Sequence, residues 1–202
     1  MSPGSNEPAP LRDPTDGPPA FRSLRTARLE LVPATVEHLR AALASRAELA
    51  RALGVAVPDT WPHDFLDDAA IVYTLERVQT GGAGTGWWFH FVMRSEAGAP
   101  RALIGSAGYK GPPDADGTVE IGYGVVSDAR RCGYATEAAL ALVERAFEDP
   151  RVRRVIAETL PELVGSIGVL AACGFHAIDG GSEPGVLRFE LTRVAHALRS
   201  PR

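Results

Sequence analysis

The strand-to-helix connection at residues 119–138, VEIGYGVVSDARRCGYATEA, constrains the fold more than any other segment of the chain. Apolar residues alternate over its first half, as they do in a half-buried strand, and apolar residues recur at helical spacing after Gly133. A helix that begins at a small-residue turn exposes unpaired backbone N–H groups, and these favour an anion, most often a phosphate. The segment therefore predicts a strand, an anion-binding turn and a long helix, in that order.

Small side chains at Gly133 and Ala135 let a ligand approach the backbone of this turn, and Arg130 and Arg131 add positive charge beside it. The alternative is an ordinary connection between a strand and a helix, with solvated arginines. The chain has many arginines and a single lysine, Lys110, so each arginine cluster carries less information than usual. The pattern alone leaves both interpretations open.

The order of the other segments predicts a mixed sheet. Hydrophobic periodicity gives the order β–α–α–β–β–β–α–β–α–β–β, in which three consecutive strands precede a helical crossover. That order excludes a doubly wound nucleotide-binding fold, where strands and helices alternate throughout. Thr35 is the predicted N-cap of one helix that continues to Gly54. The run GGAGTG at residues 81–86 lacks the spacing of a dinucleotide-binding loop and predicts a connector.

Composition and charge exclude several classes of protein. The chain has 202 residues, of which 45% are hydrophobic and 23% charged, as in an ordinary globular domain. The net charge of −4 argues against nucleic-acid binding, and no apolar run approaches the ~20 residues that cross a membrane. Two cysteines, Cys132 and Cys173, cannot form a disulfide framework, so we expect a cytoplasmic protein. The five histidines lack metal-ligand spacing, so we expect no metal site.

Residues 1–22 are rich in proline and nearly free of large apolar side chains. Such a segment cannot bury enough surface to offset the loss of chain entropy, so we expect it to be disordered. We assign residues 23–202 to a single domain.

Three segments together resemble one enzyme family. The run Arg130-x-x-Gly133-x-Ala135 resembles motif A of the GNAT superfamily of N-acetyltransferases, Gln/Arg-x-x-Gly-x-Gly/Ala, and the next residues, TEA, match its common continuation. LRTARLELVPAT resembles the family's first strand, and ETLPELVGSIGVLAACGF resembles its fifth strand and the helix that follows. The combination most resembles the branch that acetylates protein N-termini, including the ribosomal-protein alanine acetyltransferases.

The resemblance implies an α/β fold of the α+β kind, with a mixed sheet of about seven strands flanked by about four helices. Its fourth and fifth strands would splay apart around acetyl-CoA or CoA, after a bulge in the fourth strand. A backbone N–H near Val126 would then polarise the thioester carbonyl. By carry-over, the cofactor would contact Val125, Val126, Arg130, Arg131, Cys132, Gly133, Tyr134, Ala135, Thr136 and Ser166.

Two positions depart from the family pattern. Leu163 occupies the place of a common asparagine, so one contact to the cofactor is lost. Leu170 occupies the place of a tyrosine that protonates the departing thiolate in many members. Ser166 is then the nearest candidate for that catalytic step.

Glu120 is the candidate proton acceptor, because many relatives carry a carboxylate on this strand next to the cleft. The alternative is a solvent-facing strand residue. Trp61, Trp88 and Tyr123 are the candidates for binding the acceptor, although packing in the core is the commoner role of such aromatic rings.

The predicted function is direct transfer of an acetyl group from acetyl-CoA to a primary amine, without an acyl-enzyme. The acceptor would be a small-molecule amine or a peptide N-terminus, with no nucleic acid or membrane involved and a second copy of the chain as a candidate partner. The alternative is a CoA-binding module for sensing or scaffolding, which Leu163 and Leu170 favour.

The composition of residues 1–22 leads to the first testable prediction. A chain that starts at Ser23 should keep the melting temperature and the acetyl-CoA affinity of the full chain, because the removed segment has no apolar anchor. Thermal denaturation and calorimetry measure both quantities. A large decrease in either would mean that the segment packs on the domain.

Overall fold

The computed structural model describes residues 22–80 and 86–199. Within these ranges, one mixed sheet has the strand order β1-β2-β3-β4-β5-β6-β8-β7. The strands are β1 (Leu24–Arg25), β2 (Leu29–Pro33), β3 (Phe89–Arg94), β4 (Ala102–Tyr109), β5 (Thr118–Val125), β6 (Arg154–Thr159), β7 (His176–Ile178) and β8 (Leu187–Thr192). The helices are α1 (Val36–Ala44), α2 (Arg46–Leu53), α3 (Asp68–Gln79), α4 (Tyr134–Glu148), α5 (Val164–Cys173) and α6 (Arg193–Arg199). Most of the proline-rich segment, residues 1–21, and most of the predicted connector, residues 81–85, lie outside the described residues.

Strands β5 and β6 form the one parallel pair of this described sheet. A parallel pair needs a long crossover, and α4 provides it. The two strands pair from Thr118 with Arg154 to Ile121 with Ala157. Beyond Ile121, β5 continues along β4, and β6 continues along β8. The predicted mixed sheet with two splayed strands is therefore confirmed, with one more strand than expected, the short β1.

The two faces of the sheet are covered by different helices. The Tyr109 hydroxyl donates to the Leu142 carbonyl of α4 at 2.6 Å, so odd-numbered residues at this end of β4 face α4. Ser106 has the opposite parity and therefore lies on the other face. There the Phe91 ring of β3, which is paired with Ser106, packs edge-on against His38 of α1. The sheet is thus covered by α4 on one face and by the α1–α3 region on the other.

The first predicted helix is two helices. Thr35 is the N-cap of α1, as predicted, and its hydroxyl accepts the His38 backbone N–H at 3.2 Å. Ser45 then interrupts the helix in an extended conformation, and its hydroxyl accepts the Glu48 N–H at 3.1 Å to start α2. A side-chain cap competes well with the helical backbone at such a position, which explains the break. Gly54 ends α2 with a φ of +64°, as expected of a glycine C-cap.

Helix α6 was not predicted, because the alternating pattern of β8 continues into Arg193. The Thr192 hydroxyl accepts the Ala195 N–H at 3.2 Å and so starts a helical turn. The Arg193 guanidinium donates to the carbonyls of Phe147, Asp149 and Val152. These three bonds fix the start of α6 against the end of α4.

Two leucines of α4 give a matched test of the packing. Leu142 is fully buried under the sheet, whereas Leu140 is 36% exposed on the same helix. Leu142→Ala should lower the free energy of unfolding by about 2–5 kcal/mol through the lost burial and the cavity. Leu140→Ala should change it by about 0.5 kcal/mol or less. Urea denaturation measures both, and equal effects would contradict this packing.

Candidate active site

A cleft of about 1210 Å³ opens where β5 and β6 part. One wall is formed by the two central strands where they part, from Gly122 to Val125 on β5 and from Ala157 to Thr159 on β6. The turn before α4 and the start of α5 close the cleft at its two sides, and the segment between α2 and α3 contributes to a further wall. The parting of the strands therefore creates a ligand-sized space.

Backbone groups of β5 beyond Ile121 have no partner on β6 in this gap, although Arg130 Nε donates to the Val125 carbonyl at 3.4 Å. The Glu120 carbonyl accepts the Lys110 N–H, and the Val126 N–H donates to the Ile104 carbonyl, both at 2.9 Å. Even-numbered residues of β5 therefore bond to β4, and the alternation of an antiparallel ladder turns Tyr123 and Val125 towards the gap. Val125 thus lies where a cofactor contact was predicted.

The predicted bulge in this strand is not present. The register between β4 and β5 runs without a shift from Tyr109 opposite Ile121 to Gly105 opposite Val125. The register shift of this region lies one strand away, between β3 and β4 at Val92 and Met93. Because the Val126 N–H is bonded within the sheet, the backbone donor at the gap belongs to Tyr123 or Val125 instead.

The turn before α4 has the geometry of an anion site. Arg131 and Gly133 have φ values of +62° and +79°, and no side chain caps the first turn of α4. The unpaired N–H groups and the positive end of the helix dipole therefore stay available to a ligand. Of the predicted turn residues, Cys132 does not line the cleft, whereas the others do: Arg130, Arg131, Gly133, Tyr134, Ala135 and Thr136.

A polar network from the start of β2 holds this turn in place. Arg28 Nε donates to Glu137 Oε2 at 2.7 Å, and Arg28 Nη1 donates to the Cys132 carbonyl at 2.9 Å. The same guanidinium lies 4.7 Å from the centre of the Tyr134 ring. Burial alone would raise the pKa of Glu137, but hydrogen bonds from Thr26 and Arg28 hold it below its usual value. The sequence analysis matched LRTARLELVPAT and the residues TEA to the family pattern, but it assigned no role to Thr26, Arg28 or Glu137.

Two hydroxyl groups meet on the α5 side of the cleft. The Tyr123 hydroxyl lies 3.2 Å from the Ser166 carbonyl oxygen and 3.4 Å from the Ser166 hydroxyl. Burial raises the pKa of Tyr123 to about 12, so its hydroxyl keeps its proton at neutral pH. The two departures, Leu163 and Leu170, lie on the same side, and Leu170 is fully buried.

On the opposite face of β5, His63 contacts Ser106. His63 Nε2 lies 2.7 Å from Ser106 Oγ, and His63 Nδ1 lies 2.6 Å from the Asp64 carbonyl oxygen. A Cβ atom on Gly124 would lie 2.3 Å from the imidazole ring, so this glycine makes room for His63. Sequence reasoning expected no metal site at the histidines and did not identify His63 as a catalytic residue. Gly124, the glycine of β5 that the imidazole faces, was the sequence signal that could have indicated this contact.

Glu120 does not line the cleft. Its carboxylate is paired with Lys110, and its side chain is 21% exposed. Its role as proton acceptor stays a prediction. In that role the carboxylate would have to take a proton while it is paired with Lys110.

The aromatic candidates separate into core and cleft. Trp61 is buried behind His63, with 5.9 Å between the ring centres, and does not line the cleft. Trp88 lines it, together with Phe65, Tyr73 and Phe89. Phe65 is 77% exposed and has a φ of +66°, a conformation that costs a bulky residue energy. The end of the cleft near α3 is therefore apolar and aromatic.

Within residues 22–80 and 86–199, no group of three or more histidine, cysteine, aspartate or glutamate side chains could hold a metal ion. In the same part of the chain, no helix is long and apolar enough to span a membrane.

Comparison with known proteins identifies relatives that cover most of the chain. The family model for the acetyltransferase (GNAT) domain matches residues 28–176. The chain is 29% identical over 153 residues to the uncharacterized N-acetyltransferase YjdG of Bacillus subtilis (strain 168), covering 75% of this chain and 88% of that protein. It is 30% identical over 191 residues to the FsC-acetyl coenzyme A-N(2)-transacetylase of Aspergillus fumigatus, covering 85% of this chain and 76% of the relative.

A solved structure agrees with this fold. The ribosomal L7/L12 alpha-N-protein acetyltransferase RimL, in complex with coenzyme A, superposes with a TM-score of 0.57 at 15% identity. The match covers 86% of this chain and 99% of that one.

Two glycines with positive φ test the anion site against backbone strain. Gly133→Glu and Gly54→Glu should each cost roughly 1–2 kcal/mol of stability, because both positions are left-handed. Only Gly133→Glu should weaken CoA binding, since it places bulk and negative charge at the start of α4. Denaturation and calorimetry measure the two effects. Unchanged CoA affinity in Gly133→Glu would remove the turn from the site.

Proposed function

The chain belongs to the acetyltransferase (GNAT) family, and we propose that it transfers the acetyl group of acetyl-CoA directly to a primary amine on a small molecule or at a peptide N-terminus. The family makes it an acyltransferase that uses acetyl-CoA in N-acetylation. The observation that carries the proposal is the gap beyond Ile121, where free backbone groups of β5 lead to the uncapped start of α4.

The residues of this gap fit coenzyme A. The backbone groups of Tyr123 and Val125 are placed to pair with the amides of pantetheine. The N–H groups at the start of α4, together with Arg131, suit its pyrophosphate, whereas the Arg130 guanidinium is paired with Asp64 and donates to the Val125 carbonyl. When bound, acetyl-CoA supplies a thioester carbonyl that is activated for attack by a nucleophile.

Groups of the chain are available for two parts of the reaction. A backbone N–H of Tyr123 or Val125 would polarise the thioester carbonyl, because it points into the gap without a partner strand. The Ser166 hydroxyl, with the Tyr123 hydroxyl 3.4 Å away, would protonate the departing thiolate. Tyr123 is thus better placed for this role than for the acceptor binding expected of it, since its side chain faces α5.

The aromatic end of the cleft supports an acceptor whose amine is carried on an apolar or aromatic group. Trp88, Tyr73 and Phe65 line this end, and Phe65 is exposed and strained, as a residue that closes on a ligand would be. The name of RimL mentions a ribosomal protein, and the name of the Aspergillus fumigatus relative mentions FsC.

The alternative function, CoA binding without turnover, rested on Leu163 and Leu170. Membership of an acetyltransferase family argues for the enzyme. The hydroxyl groups of Tyr123 and Ser166 offer the proton that Leu170 lacks. We therefore favour turnover.

Removal of both hydroxyls tests the proposed proton donor. The double variant Tyr123→Phe and Ser166→Ala should lower kcat by about 10²-fold or more, because the thiolate then leaves without a proton. The affinity for acetyl-CoA should stay nearly unchanged. Thiol release is measured with acetyl-CoA and a panel of primary amines, and calorimetry measures binding.

Ser95→Ala, in the loop between β3 and β4, is the matched control and should keep the wild-type rate. If the wild-type chain binds acetyl-CoA and releases no thiol with any amine, CoA binding without turnover is the better function. If the double variant keeps the wild-type kcat, the two hydroxyls are not the donor.

A further inference from the structure

We infer that Ser106 and His63 accept the proton of the acceptor amine, Ser106 receiving it while passing its own proton to the imidazole. This inference rests on the proposed N-acetyltransferase function. Neither residue was a predicted site residue, and both line the cleft.

The hydrogen bonds fix the tautomer of His63. A backbone carbonyl only accepts, so the nitrogen 2.6 Å from the Asp64 carbonyl, Nδ1, carries the proton. In the neutral ring Nε2 then has a lone pair, and the Ser106 hydroxyl, 2.7 Å away, donates to it. This is the arrangement of a hydroxyl activated by a base that a third group orients.

The pair is placed beside the gap. Ser106 is opposite Gly124 in the register of β4 and β5, and the imidazole packs directly over Gly124. The backbone N–H groups of Tyr123 and Val125, which have no partner on β6, flank that glycine. The proton acceptor and the proposed proton donor, Ser166 with Tyr123, therefore lie on opposite faces of the same strand.

His63 has the charge state that a proton acceptor needs. Burial lowers the pKa of His63 below the usual value for histidine. Asp64 acts in the opposite direction, and Arg130 acts with burial. These two charged groups are paired with each other, and the residues that face the ring from β4 and β5, Ser106 and Gly124, are uncharged. His63 is therefore neutral at pH 7 and able to take a proton.

The step balances. The nitrogen of the amine forms a bond to the thioester carbonyl carbon, and the carbon–sulfur bond breaks. The nitrogen gives one proton to Ser106 Oγ, as the Ser106 proton moves to His63 Nε2. The sulfur receives one proton from the Ser166 hydroxyl on the opposite face of β5, and Ser166 regains a proton from solvent. The imidazolium then returns its proton to solvent.

Glu120 is less well placed for this step. It lies four residues before Gly124, about 13 Å along the strand. Lys110 holds its carboxylate, and it does not line the cleft.

The kinetic experiment uses 2-phenylethylamine, which suits the aromatic end of the cleft, and follows thiol release from acetyl-CoA. His63→Gln keeps a polar contact with Ser106 and cannot take a proton. It should lower kcat about 10²–10⁴-fold at pH 7. The loss should shrink as the pH rises, because hydroxide in the solvent then removes the proton that the imidazole no longer takes. Ser106→Ala should show the same pH dependence, and both variants should bind acetyl-CoA like the wild type.

His176→Gln, an exposed histidine on β7, is the matched control and should keep the wild-type profile. Glu120→Gln is the competing variant. A pH-dependent loss in Glu120→Gln, with none in His63→Gln, overturns the inference and assigns the proton to the carboxylate. A loss in His63→Gln that is equal at every pH also overturns it, since that marks a structural role.

A second readout needs no turnover. Nitrogen NMR of the histidine-labelled chain should show His63 at pH 7 as the neutral ring with its proton on Nδ1. A proton on Nε2, or a cationic ring at pH 7, overturns the inference even if His63→Gln fails to fold. A wild-type chain that acetylates no amine overturns the proposed function and this inference together, whereas wild-type turnover with an unaffected His63→Gln overturns the inference alone.

Discussion

The parting of β5 from β6 after Ile121 is the constraint on which the site depends. A continuous sheet would pair every backbone group of both strands, and nothing would be left to hold a ligand. Because β4 and β8 keep the two strands in the sheet on their outer sides, the gap leaves few backbone groups unpaired. The gap also separates the chemistry by face, with Ser106 and His63 on one side and Tyr123 and Ser166 on the other.

Local patterns in the sequence predicted most of the fold. The Thr35 cap and the start of α4 at Gly133 follow from the conformations and hydrogen bonds of near neighbours, which short motifs encode. The break at Ser45 and the helix after Thr192 were missed, because a single hydroxyl decided the local conformation against a continuous apolar pattern.

Only those residues of the candidate site that are neighbours in the sequence could be predicted. The turn at Arg130–Thr136 is one stretch of chain, so its residues were found together, except that Cys132 faces away. The contact of His63 with Ser106 joins residues 43 apart, and no spacing rule connects a loop to a strand in the middle of a sheet. Trp61 was singled out two residues from His63, yet packing placed the tryptophan in the core and the histidine at the cleft.

The network between Arg28 and Glu137 joins positions 109 residues apart. Contacts of such long range form late, since the intervening chain must first be ordered. The phosphate turn is thus completed by a strand near the beginning of the chain, although the turn itself is a local motif. A nascent chain in which β2 has not yet docked would contain the whole motif and still lack its support. Cofactor affinity in this protein therefore depends on the docking of β2 beside α4, and the bound cofactor stabilises only chains in which that contact has formed.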